Sequence, residues 1–80
     1  MNETPATFRT KRLTAVLDLI DSEAYEKTRM SEYLKRTGDN DLARHKEIEV
    51  EAIRNVVKQL RRDFCIKNDL YDELMRNSIK

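Results

Sequence analysis

Glycine and proline are almost missing from this chain, with Gly38 and Pro5 the single examples, and there is no tryptophan at all. A chain so short of turn-forming residues, and 39% charged, favours long helices over sheets. Cysteine is as scarce. Cys65 stands alone, which excludes an internal disulfide framework, and no Cys and His cluster offers a zinc staple. Charge of one sign is not in excess, for the net charge is +1. That argues against a dedicated polybasic protein and against an acidic mimic, while leaving room for local patches. Long apolar runs are absent, so no window approaches the ~20 residues of a membrane span. Met1-Asn2-Glu3-Thr4-Pro5 carries neither a basic leader nor an apolar run, and the expectation is a cytoplasmic protein with no membrane partner.

Catalytic signatures are missing as well. No glycine-rich phosphate loop, nucleophile elbow or paired-carboxylate constellation stands out, and the expectation is a protein that is not an enzyme and holds no cofactor. His45 is the only histidine and shares a row of fours with Asp41 and Glu49. Helical metal sites draw ligands from facing helices, so this row reads as a solvated first turn, and no metal is expected. Cys65 follows Arg61 and Arg62, cations that favour a thiolate, but it has no histidine nearby in sequence and reads as an ordinary thiol. Tyr25, Tyr33 and Tyr71 are too scattered for a base-stacking platform.

What the chain does have is helical periodicity. Ile53, Val57, Leu60, Phe64, Lys67, Tyr71 and Leu74 step by alternating fours and threes, the seam of a helix packed along its length against another, and Ala43 and Val50 extend it upstream. A second stripe runs through Leu13, Val16, Leu17, Ile20, Ala24 and Leu34. Thr4-Pro5 is a helix start, and the only glycine, within Thr37-Gly38-Asp39-Asn40-Asp41, suits the left-handed position just past a helix end. Asn40 or Asp41 then caps the next helix.

The spacing therefore predicts an all-α fold in a single domain: a tail over 1–4, a first arm over 5–37, a turn over 38–40 and an unbroken second arm over 41–78, folded as a long antiparallel helical hairpin. Two weaker interruptions, a corner at Asp21-Ser22 and a stop at Lys67-Asn68-Asp69 with Asn68 capping a short last helix, give the alternative of a compact monomer of three or four short helices. A lone hairpin leaves Leu19, Met30, Tyr33, Ile48, Ile66 and Leu70 beside its seams, and 80 residues lie near the size at which one core gives only about 3–5 kcal/mol. Both points favour a homodimer forming a four-helix bundle, with Ile53, Val57, Leu60, Phe64, Tyr71 and Leu74 as its seam.

The one uneven charge feature is Arg54, Lys58, Arg61 and Arg62, four cations on a flank of the second arm that points away from the seam. Replacing these four is expected to leave melting nearly unchanged, and in a hairpin turning at Gly38 they approach Arg9, Lys11 and Arg12, making a candidate binding patch of seven cations. The resulting expectation is a small regulatory or adaptor protein that binds another protein through an exposed helical face. The alternative is a nucleic-acid-binding regulator working through the basic patch.

Overall fold

A computed structural model describes residues 5–78, with side chains from Arg9 onward. The predicted tail over 1–4 and the capping role of Thr4 lie outside the described residues. Three helices follow in order, α1 (Pro5–Thr37), α2 (Asn40–Asp63) and α3 (Leu70–Ser78), and the described residues contain no strand. The chain is all-α, with its two long helices packed antiparallel as expected.

α1 runs straight through the Asp21-Ser22 position. Ser22 Oγ donates to the carbonyl of Asp18 at 3.1 Å, as Thr14 does to Thr10 and Thr28 to Ala24, so these hydroxyls bond back onto their own helix instead of capping a new one. The helix ends in a Schellman motif. Gly38 N–H donates to Lys35 O at 3.3 Å and Asp39 N–H to Leu34 O at 2.9 Å, with Gly38 at φ 90°. Asn40 is already helical. The cap position belongs to Asp39, which satisfies the next turn through its carbonyl to Ala43 N–H at 3.0 Å and makes no side-chain cap bond.

The second arm is not unbroken. α2 stops at Asp63 in a second Schellman motif, Cys65 N–H donating to Arg62 O at 3.2 Å and Ile66 N–H to Arg61 O at 2.8 Å. Cys65 takes the left-handed place at φ 55° that glycine holds in the first motif. A new helix then starts with Asp69 as its cap, one residue later than the Asn68 cap considered from sequence. Asp72 N–H donates to Asp69 Oδ1 at 3.2 Å and Glu73 N–H to Asp69 O at 3.1 Å. Asn68 meets Asp18 and Tyr71 meets Thr28, so the chain reverses after α2 and α3 runs along α1 toward the Gly38 turn.

Among the described residues the fully buried apolar core is small: Leu17, Ala24, Ala43 and Val57. Ala43 lies against α1 near the turn, where Ser31 Oγ donates to its carbonyl at 3.2 Å. Of the predicted seam, Val57 is buried and Ile53, Leu60, Tyr71 and Leu74 are partly covered. Phe64 is 52% exposed, because the helix expected to carry it onward ends there. Leu17→Ala is expected to cost about 2–5 kcal/mol in denaturant unfolding. Leu19→Ala, at a position 66% exposed, is expected to stay within about 0.5 kcal/mol of the parent.

Candidate functional site

The buried stripe of α1 contains a charge. Asp21 falls one turn after Leu17 and just before Ala24, and it is fully buried. A carboxylate there is tolerable only if paired and hydrogen-bonded. Two arginines of α2 do this: Arg54 Nη1 donates to Asp21 Oδ1 at 2.9 Å, and Arg61 Nη2 donates to Asp21 Oδ2. They stand seven residues apart, two turns on one side of α2, so both reach the same carboxylate across the helix pair.

Each arginine also reaches the segment that reverses. Arg54 Nη2 donates to Asp69 Oδ2 at 2.7 Å, lies 3.6 Å from Asp72 and stacks its guanidinium 4.5 Å from the centroid of the Tyr71 ring. The Tyr71 hydroxyl hydrogen-bonds Thr28 Oγ1 at 2.9 Å. Arg61 reaches Asp18 at 3.2 Å and Asn68 Oδ1 at 3.4 Å, and Asn68 Nδ2 closes the ring by donating to Asp18 at 3.1 Å. Among the described residues, Arg61 Nε is the one buried side-chain polar atom without a hydrogen-bond partner. Burial alone pulls the Arg54 guanidinium down, but its bond to Asp69 and the charges of Asp69, Asp21 and Asp72 outweigh that and raise it. Burial would likewise lift Asp69, yet the Arg54 bond, the Asp72 amide and both arginine charges hold it below its ordinary 3.8.

This arrangement corrects the seven-cation patch. Arg54 and Arg61 do not point away from the helix pair: they are 6% and 5% exposed, and the carboxylates of Asp18, Asp21 and Asp69 neutralise them. The expectation of neutral replacement therefore applies only to Lys58 and Arg62, which are exposed. Arg9, Lys11 and Arg12 are exposed on the first turns of α1, six to nine residues before Asp18, on the order of 9–14 Å along the helix. The structure does not merge the two groups through Arg54 and Arg61. Elsewhere across the helix pair, Lys27 of α1 reaches Glu49 of α2 at 2.7 Å.

The register that opposes Arg61 to Asp18 follows from a hairpin turning at Gly38, so matching acids to bases across it was the available signal for this cluster. The roles of Asn68 and Asp69 had no such signal, since they depend on the reversal after α2. His45 is exposed, and no group of three or more His, Cys, Asp or Glu that could hold a metal forms among the described residues. No helix is long and apolar enough to cross a membrane among those residues.

A second feature lies on the flank away from α3. Ile20 of α1 and Ala52, Ile53, Val56, Val57 and Leu60 of α2 line an open, nearly all-apolar groove. Ile53, Val56 and Leu60 sit roughly 80–160° around α2 from Arg54 and Arg61, so the cluster and the groove occupy different sides. Val56 is 60% exposed, and Val16 and Phe64, one turn from Ile20 and Leu60, are about half exposed.

Removing Arg61 strands Asp18 and part of the Asp21 charge, so Arg61→Met is expected to cost about 3–5 kcal/mol in urea unfolding, whereas Lys58→Gln and Arg62→Gln stay within about 0.5. The depressed Asp69 sets an acid limit. Its carboxyl binds a proton in the unfolded chain near 3.8 but only at lower pH when folded, so its contribution is complete above that range and is lost as pH falls below it. Melting temperature measured down an acid series is expected to fall less steeply in Asp69→Asn than in the parent.

No family model matches the chain, and comparison with the curated proteins and with the solved structures found no match.

Proposed function

We propose that this is a small non-enzymatic regulatory or adaptor protein that binds another protein through the exposed apolar face of α1 and α2. The observation that carries it is the groove of Ile20, Ala52, Ile53, Val56 and Leu60, left open on the flank that α3 does not cover. Two antiparallel helices with half-exposed aliphatic residues at threes and fours form a floor for one amphipathic helix, which would seat its own apolar stripe between them. The rest of the surface offers less. Of the seven-cation patch, Arg54 and Arg61 are neutralised from within and do not face solvent. That weakens the nucleic-acid alternative.

A homodimer belongs to the same proposal, since the four fully buried apolar residues among those described, two of them alanine, are a thin core. So does a cytoplasmic setting, where an exposed free thiol such as Cys65 stays reduced.

The test is affinity capture from the native host with wild type and Val56→Glu, reading both proteins and nucleic acid. Val56→Glu is expected to melt within about 0.5 kcal/mol of the parent, because the position is exposed, and to lose a protein partner that wild type retains. Retention of that partner by a folded Val56→Glu would refute the groove. A nucleic acid retained by both, and released when Arg9, Lys11, Arg12, Lys58 and Arg62 are replaced by Gln, would favour the alternative; each lost phosphate contact should then shallow the salt slope by about one unit.

A further inference from the structure

The row Ile53, Val57, Leu60, Phe64, Tyr71 and Leu74 keeps one helical phase across residues 64–69, although the helix is interrupted there. The interruption is strained. It depends on Cys65 at φ 55°, a conformation that β-carbon sterics disfavour and that the first turn assigns to glycine. Nothing in residues 64–69 forbids a helix, since the segment contains neither proline nor glycine. The folded-back α3, meanwhile, buries no residue fully and is attached by directional contacts: Asp69 and the Tyr71 ring on Arg54, Asn68 on Asp18 and Arg61, and Tyr71 on Thr28. Contacts of this kind depend on local geometry and not on which chain supplies the helix.

We propose that α3 exchanges between two copies of this chain. In the exchanged form α2 and α3 run as one helix through residues 64–69, and each α3 docks on the α1 and α2 of the other copy. Asp69, Asn68 and Tyr71 are then supplied to Arg54 and Arg61 across the interface. The contacts of Asn68, Asp69 and Tyr71 with Arg54, Arg61, Asp18 and Thr28 are remade between chains, the left-handed residue is relieved in both, and helical hydrogen bonds through the hinge replace the turn bonds at Cys65 and Ile66 and the Asp69 cap. Association entropy opposes this, so the balance shifts with protein concentration. The inference rests on the homodimer proposed above and names its route, while leaving the groove at Ile53, Val56 and Leu60 open for a different protein.

Sedimentation equilibrium under reducing conditions, from micromolar to millimolar chain, tests it with the full-length protein. Wild type is expected to dimerise. Cys65→Gly is expected to weaken the dimer at least about tenfold, because glycine takes the left-handed place without strain and disfavours the continuous helix. A second variant with a short Gly-Ser insertion after Cys65, which lets α3 fold back freely, is expected to do the same, and Val56→Glu is expected to leave dimerisation unchanged. Mixing Arg54→Gln with Asp69→Asn adds a readout specific to exchange: only a swapped heterodimer contains one complete Arg54 and Asp69 pair, so the mixture is expected to associate more tightly than either variant alone. A wild-type dimer unchanged by both hinge variants, or a mixture no tighter than its parents, overturns exchange and leaves the homodimer standing. A wild type that stays monomeric throughout the range removes both exchange and the homodimer, without touching the groove.

Discussion

Asp21 is the constraint on which the architecture turns. A fully buried carboxylate in the apolar stripe of α1 must be neutralised, and among the described residues Arg54 and Arg61 of α2 reach it. Once drawn inward, the two guanidiniums have donors to spare. Asp18 takes up part of the surplus from α1, and Asn68, Asp69 and the Tyr71 face take up more of it from the segment after α2, leaving Arg61 Nε without a partner. The third helix therefore folds back because the arginines need partners as much as because Leu70, Leu74 and Met75 gain partial cover. Breaking such a cluster is costly while building it adds little net stability.

That internal neutralisation also sorts the surface. Cations that look available for phosphate are consumed in holding the fold, and Lys58 and Arg62 remain outside it. The opposite flank stays apolar and open because α3 is too short, and too tied to Arg54, to cover both sides of the helix pair. One flank is thus occupied by polar contacts and the other stays apolar and exposed.

The two ends of α2 show how the same local motif arises from unlike chemistry. At Gly38 the left-handed residue has no β-carbon and takes φ 90° without steric strain. At Cys65 the identical hydrogen-bond pattern is imposed on a residue with a β-carbon, held in place by what the following helix gains against Arg54 and Arg61. A turn of the second kind is only as firm as the docking it serves.

The sequence by itself determined the helical class, the Gly38 turn and the antiparallel pairing of α1 with α2, because these follow from periodicity and from one residue with unique backbone freedom. It also set out Val57 in the seam and the half-exposed flank of Leu19, Met30 and Tyr33. The end of α2 and the sides of Arg54 and Arg61 were settled only in three dimensions. Nothing local stops a helix at Phe64, where the apolar phase continues unbroken. The arginines sit where periodicity reads a solvated face, and only the opposing carboxylates at Asp18, Asp21 and Asp69, brought together by the reversal of the chain, make burial the lower free-energy state.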